Sequence, residues 1–291
     1  MADVDILMVG HFARDQVVVD GQSSVMSGGA VYFGSIALRR LGLQVAVVTR
    51  LHADDLGLLR EISDEGVQVF ARTAAATSGI ANYYTSADME RRICRPLGFA
   101  GAFRASEVPA ISARVQVAAS IQAGEIDLDL LTYLAARGPV GLDIQGFVRV
   151  REGDELVFRP RPDLAEGLAL VTYLKVDRAE AELLTGETDL AVAAHKLSGY
   201  GPREIVVTQS SGVTVLVEGR VYTAPFSPRS LEGRTGRGDT CFATYLGGRL
   251  TMGPHEATRL AGAVTTLKQE KAGPWRGSLE EVHRWLTSTT A

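Results

Sequence analysis

The chain has 291 residues, 46% of them hydrophobic and 22% charged, with a formal net charge of -4. That is enough for one large domain or two small ones around a full-sized core. The mildly acidic balance gives no basis for a nucleic-acid or anionic-membrane partner, and no run approaches the roughly 20 apolar residues of a membrane span.

The start, Met1 to Gly10, holds Asp3, Asp5 and a brief apolar run, without the basic flank and longer apolar stretch of a signal peptide. Val4–Val9 reads as a buried strand stopped by Gly10, Ala30–Leu41 as a helix ended by Gly42, Val45–Thr49 as a strand and Leu56–Glu65 as a helix ended by Gly66. Further buried strands are expected at Val115–Ala119, Val140–Ile144, Tyr173–Val176 and Ile205–Thr208, with helices between them at Leu128–Arg137, Ala179–Thr185 and Leu190–Ser198. Val213–Val217 and Arg220–Thr223, joined by Glu218-Gly219, read as a hairpin. Helices then follow at Thr240–Leu250, Glu256–Gln269 and Leu279–Leu286. Strands alternating with helices predict parallel βαβ units, and continuous apolar strands predict a sheet covered on both faces. Gln16–Val25 and Gly79–Ile93 break this rhythm as extended, partly polar segments. They suggest either surface hairpins or a small sheet, roughly residues 14–27 and 78–95, projecting from a single domain over residues 1–291. Cys94 and Cys241, far apart in sequence, argue against a disulfide scaffold and for a reducing, cytoplasmic setting. The five histidines are dispersed, without metal-ligand spacing.

The richest stretch is Gly236-Arg237-Gly238-Asp239, followed at once by the apolar helical pattern from Thr240. Glycines allow a tight turn with uncovered N–H groups, and a helix N-terminus suits an anion. A carboxylate in such a turn puts a base beside an anion cradle, the pairing needed for phosphoryl transfer to a hydroxyl. A loop whose Asp caps the helix is the alternative. Ligands on open α/β sheets bind at the carboxyl ends of the strands. There the order of elements places Asp15, Gly28-Gly29, Asp54-Asp55, Asp143 and Thr208. Carboxylates accept hydrogen bonds from hydroxyls, so this rim suits a hydroxyl-rich ligand, although helix capping explains Asp54 or Asp55 equally well. In Lys175-Val176-Asp177-Arg178-Ala179-Glu180, Asp177 and Glu180 form a capping-box pattern, or lie near a Mg²⁺–triphosphate and act on the metal through water. Thr208-Gln209-Ser210-Ser211-Gly212 is a polar turn able to hold phosphate oxygens, or simply a connection.

In order and over nearly its full length, the chain resembles the PfkB, or ribokinase-like, family of carbohydrate kinases. Gly28-Gly29-Ala30 resembles the family's N-terminal substrate motif, Lys175 to Glu180 its Asn-x-x-Glu segment, Thr208 to Gly212 its nucleotide-contacting turn, and Thr235 to Thr240 its C-terminal signature. The resemblance implies an α/β, ribokinase-like fold: a mainly parallel central sheet, helices on both faces, and a small β-lid that can serve as a homodimer contact. It implies an ATP-dependent kinase acting on a small polyol or sugar. Asp239 would be the base and Gly236, Arg237, Gly238 and Asp239 the anion hole. Lys175, Asp177, Thr208, Ser210, Gly212 and Thr235 would contact ATP, with Val264 flanking the adenine and Glu180 on Mg²⁺ through water. Asp15, Gly28 and Gly29 would hold the acceptor.

Departures narrow the reading. Phe33 stands where many members carry Asn, Asp177 replaces the usual Asn, and Arg237 a small residue. Ser210 replaces a common Gly, and Gly233 takes the place of the acidic residue that helps bind a monovalent cation, which removes the basis for expecting potassium activation. Gly28-Gly29-Ala30-Val31-Tyr32-Phe33 and Leu142-Asp143-Ile144-Gln145-Gly146-Phe147-Val148-Arg149 are similar to stretches of the plant myo-inositol kinase branch, which implies that Gln145 or Arg149 helps recognise the acceptor, with packing or a surface salt bridge as the alternative for both. The alternatives are a ribose, fructose or nucleoside kinase, or an inactive sugar- or nucleotide-binding sensor of the same fold.

Overall fold

The computed structural model describes residues 2–85 and 88–288. Its strands are β1 Val4–Val9, β2 Ala13–Val19, β3 Gln22–Gly28, β4 Val45–His52, β5 Gln68–Ala74, β6 Gly79–Thr85, β7 Asp88–Gly98 and β8 Ala113–Ala118. They continue with β9 Val140–Asp143, β10 Arg149–Glu152, β11 Glu155–Phe158, β12 Tyr173–Asp177, β13 Glu204–Gln209, β14 Gly212–Val217 and β15 Arg220–Pro225. Nine form one sheet in the order β15-β14-β13-β12-β9-β8-β1-β4-β5. Pairing is parallel from β5 to β13 and antiparallel for β14 and β15.

Along β1, Leu7 and Val9 join the core cluster of one face, with Leu131, Leu168 and Leu197. Ile6 and Met8 join the other, with Ile36, Phe242 and Ala261. Helices on both faces explain why the central strands read as unbroken apolar runs. Helix Arg237–Arg249, buried from Thr240 to Gly248, packs against both Ala30–Arg40 and Pro254–Gln269. The first helix places Arg39 and Arg40 in its last turn, where cations favour the helix dipole.

The smaller sheet runs β3-β2-β6-β7. The segment Gln16–Val25 is a hairpin: Asp20 and Gly21 take φ of 48° and 83°, the Asp-Gly turn that matches strand twist. Residues 86 and 87 of the expected Gly79–Ile93 strand lie outside the described residues. Several elements differ from the sequence reading. Leu56–Glu65 is not one helix but a tighter 3-10 segment, Ala53–Leu59, followed by a single turn, Arg60–Ser63. The chain there carries Gly57, and His52 accepts from Asp54 N–H at the start, both of which favour a tight local turn. β5 is a half-exposed edge strand without an apolar run, and β10–β11 form a separate hairpin beside the cleft end of the sheet.

At the opposite end, Glu204 is buried and accepts from Tyr245 Oη and from Arg249, whose Nη2 lies 2.8 Å away. Removing one member of a buried ion pair leaves the other uncompensated. Glu204→Ala is therefore expected to lower unfolding stability by about 3 kcal/mol, read from urea denaturation. Among the described residues no helix is long and apolar enough to cross a membrane. Cys94 and Cys241 are buried free thiols.

Candidate active site

Strand register assembles the site. Lys175 pairs with Asp143 across β12 and β9, and Asp177 with Thr208 across β12 and β13. Side chains two apart on a strand share a face, so Lys175 and Asp177 emerge together, with Asp143 and Thr208 beside them. Lys175 is buried, with its Nζ 3.0 Å from Asp143 Oδ2 and 3.9 Å from Glu180 Oε2. Arg149, also buried, reaches Glu180 Oε1 at 3.4 Å. Glu180 in turn accepts from Asp177 N–H at 2.8 Å, and Asp177 Oδ1 accepts from Glu180 N–H at 2.8 Å, closing a capping box at the start of helix Arg178–Thr185.

The loop Leu231–Thr235 brings the chain to Gly236, whose φ is 80°. A Cβ there would meet the Phe33 ring at 2.3 Å, so glycine is required twice, for conformation and for space. Helix Arg237–Arg249 begins at once. Its first N–H groups have no intrahelical carbonyl. That of Arg237 donates to Arg234 O, and those of Gly238 and Asp239 belong to the same first turn. A Cβ at Gly238 would stand 3.3 Å from Lys175 Nζ and 3.6 Å from Thr208 Oγ1, so this glycine keeps the space above the ammonium open.

One cleft is lined by Asp15, Gly29, Phe33, Asn82, Ser120, Gln145, Arg149, Lys175, Asp177, Thr208 and the run Arg234 to Asp239. It is open to solvent and leaves about 150 Å³ of room for water-sized molecules. Asp239 and Asp143 stand above the apolar side chains of Met8, Val117, Phe242 and Leu246. Burial raises the Asp239 carboxyl above the ordinary aspartate range, opposed by the cations Lys175, Arg149 and Lys268. Burial likewise raises Asp143, opposed by Lys175 and reinforced by the charge of Asp239. Glu180 is pushed up to about 7 by burial and then by Asp177, against the pull of Lys175 and Arg149. Burial works against the Lys175 ammonium, but the surrounding carboxylates Asp143, Glu180, Asp177 and Asp239 hold its pKa above the usual lysine value. A half-buried carboxylate of raised pKa beside helix N–H donors and a pinned cation can accept a proton from a hydroxyl while an anion is held next to it.

On the side of the small sheet, Asp15 Oδ1 accepts from Ile80 N–H at 2.9 Å. A Cβ at Gly28 would come within 2.2 Å of Asp15 Oδ2, so that glycine makes room for the carboxylate. Gly29, with φ of 87°, turns the chain against His11 O into the first helix.

The cleft thus brings together Asp239, Gly236, Arg237, Gly238, Thr235, Lys175, Asp177, Thr208, Asp15, Gly29, Gln145 and Arg149, with Gly28 directly behind Asp15. It does not bring in the rest. Ser210 is exposed at the β13–β14 turn, and Gly212 packs under Ala224 O. Val264 is fully buried against Leu260, Trp275 and Val282. Asp54 is exposed, and Asp55 accepts from Thr77 Oγ1 at 2.6 Å and faces Arg14. Asn82, Ser120, Ile121 and Arg234 line the cleft without having been singled out from the sequence. The position of Ser120 and Ile121 just past β8 was the available signal for those two. Beneath them Glu125 accepts from the N–H groups of Ile121 and Gln122 and lies 3.4 Å from the buried His11 Nδ1.

The pfkB family carbohydrate kinase model matches residues 2–280. A cytidine kinase from Thermococcus kodakarensis is 26% identical over 286 residues, 94% of this chain and 98% of that protein. A pyrophosphate-dependent kinase of the ribokinase family, solved with a pyrophosphate analogue and myo-inositol, superposes with a TM-score of 0.89 at 34% identity, covering 96% of this chain and 99% of the other. A ribokinase from Arabidopsis thaliana, solved with ribose and ATP, shares the fold with a TM-score of 0.76 at 19% identity over 98% of this chain and 99% of that one. With its ribokinase-like sheet, its glycine-flanked Asp239 and a family match over nearly its whole length, the chain belongs to the pfkB family of carbohydrate kinases, phosphotransferases that act on a hydroxyl acceptor.

Proposed function

We propose that the chain transfers a phosphoryl group from inorganic pyrophosphate to a hydroxyl of a cyclitol of the myo-inositol type. The observation that carries this is the character of the donor side of the cleft. Lys175, Arg234 and Arg237 gather around the Gly236–Asp239 turn, while Val264, the residue expected beside an adenine, is sealed in the core. A compact, multiply charged anionic donor needs cations and N–H groups rather than an apolar slot. The 34% identity to a kinase solved with a pyrophosphate analogue and myo-inositol supports the same donor and acceptor. Asp15, Asn82, Gln145 and Ser120 offer a hydroxyl-rich ring its polar partners, with the small sheet acting as a lid on that side.

In this reading Asp239 takes the hydroxyl proton as the alcohol oxygen bonds to phosphorus, and the bridging P–O bond breaks to release phosphate. The first-turn N–H groups and Lys175 stabilise charge on the moving group. Mg²⁺ in such reactions is held mostly by phosphate oxygens and water with one or two carboxylates, and neutralises donor charge. Asp177, on the cleft wall, fits that part. Glu180 does not, because its oxygens are taken by Asp177 N–H and by Arg149 and Lys175. A second reading, ATP-dependent phosphorylation of a nucleoside, is favoured by the 26% identity to the cytidine kinase.

Phosphorus NMR of reactions with Mg²⁺ and either pyrophosphate or ATP, against myo-inositol, ribose, fructose and cytidine, decides between these readings. A phosphate monoester of myo-inositol formed from pyrophosphate is expected. Turnover of ATP with cytidine, and none of pyrophosphate, overturns the first reading for the second. Gly28→Ala tests the acceptor side. The added methyl meets Asp15 at 2.2 Å, so the acceptor KM is expected to rise about tenfold with the donor KM unchanged.

A further inference from the structure

Lys268 lies in the last turn of helix Pro254–Gln269 and is 1% exposed. Among the described residues its ammonium makes no ion pair with a carboxylate within 4 Å. It donates to two backbone carbonyls, of Gly233 and Thr235, in the loop that leads into Gly236. The Phe33 ring, which also underlies Gly236, has its centroid 4.9 Å from Lys268 Nζ. The same loop is pressed on the helix end: Gly233 N–H donates to Gln269 O at 2.8 Å, and a Cβ on Gly233 would stand 1.8 Å from Lys271 O.

Converging carbonyls around a dehydrated positive charge, with an aromatic face as a further wall, are the surroundings a bound alkali ion would need. Here they are filled from within the chain. No acidic side chain fits at Gly233, because any Cβ collides with the helix carbonyls. The residues present therefore do not fit an exchangeable monovalent cation. Burial pulls the Lys268 pKa down to about 7, opposed by the Asp239 carboxylate and reinforced by Arg237, so the ammonium depends on the charge of Asp239 and on the two carbonyls that accept from it.

We propose that the Lys268 ammonium is a built-in cation that holds the loop Leu231–Gly236, and with it the first turn of helix Arg237–Arg249, in the geometry that receives the donor phosphate. Lys268 is then a positioning residue, and the protein needs no potassium. The inference rests on the reading of that turn as the donor site.

The test uses full-length wild type, Lys268→Ala and Lys268→Met, each in potassium, ammonium or tetramethylammonium chloride at equal ionic strength. Thermal unfolding is recorded without substrate, and turnover with the donor and acceptor found active. Wild type is expected to show the same unfolding temperature and kcat in all three salts. Lys268→Ala is expected to lose about 100-fold in kcat with a small change in acceptor KM. Potassium or ammonium, but not tetramethylammonium, should restore at least about tenfold of that loss and raise the variant's unfolding temperature. Lys268→Met keeps the apolar stem and should show the same loss with weaker rescue, which covers the case in which the alanine variant fails to fold. Activation of wild type by potassium, or either variant retaining kcat within about threefold in tetramethylammonium, overturns the proposal. If wild type phosphorylates no acceptor, the functional reading fails by itself, and the salt dependence of unfolding still decides whether Lys268 fills a cation position.

Discussion

Asp239→Asn is expected to lower kcat by about 10²–10⁴-fold while leaving the fold intact. The substitution keeps shape and hydrogen-bonding reach but removes the only feature a base requires. Its effect on stability should be small or favourable. Burial raises the folded pKa of Asp239 above its unfolded value, so the ionised carboxylate costs folding energy at pH values above that pKa. Asparagine removes this cost while giving up the attraction to Lys175, Arg149 and Lys268, which is the smaller effect if the net shift is upward. Unfolding at pH 8 should therefore occur no lower in the variant than in wild type, and circular dichroism should be unchanged. In wild type, kcat/KM should fall as pH drops through the raised pKa and the base is protonated. A variant keeping more than about a tenth of wild-type kcat would remove Asp239 from the role of base.

Much of this arrangement was legible because a few local rules act without tertiary help. Strand ends and glycine turns placed Asp15, Gly29, Thr208 and Asp239 on one rim, and the cleft contains these, whereas Asp54 and Asp55 from the same reading lie outside it. Of the two readings the Asn-x-x-Glu-like segment allowed, a capping box or a pair near a metal-bound phosphate, the capping box is formed. What depended on neighbours was not legible. The Lys175–Asp143 pair is created by the β9–β12 register, which no local pattern specifies. Asn82 sits on a polar strand of the small sheet, where alternation alone does not say which face meets the cleft. Lys268 has the sequence setting of an ordinary cation in the last turn of a helix, and only the packing of the Gly233 loop buries it. Val264 was placed beside a nucleotide by resemblance, whereas Trp275 and Val282 from the following segment cover it.

Lys175→Met should be the most destabilising change at the site, by about 3–5 kcal/mol at pH 8.5, and the loss should shrink at lower pH. Lys175 is the cation shared by Asp143 and Glu180, both buried, at 3.0 and 3.9 Å. Methionine fills much of the stem's volume, so the change removes charge rather than creating a large cavity. Among the described residues, Arg149, on Glu180, is then the one cation left within 4 Å of either carboxylate, beside the N–H groups of Asp177 and Gln145. Glu180 already titrates near 7 in the intact protein, and Asp143 is also raised by burial. Without the ammonium both rise further. A carboxylate whose folded pKa exceeds its unfolded value binds more protons folded than unfolded, so stability falls as pH increases through that interval. The deficit against wild type should accordingly be small near pH 5.5, where both groups are protonated in the folded variant, and full at pH 8.5. Urea denaturation at the two pH values measures it. The double variant Lys175→Met, Asp143→Asn should recover part of the loss at pH 8.5, because one of the stranded charges is gone. A deficit of equal size at both pH values would mean that Lys175 supports the fold through packing, and that the charges of Asp143 and Glu180 are balanced by other groups.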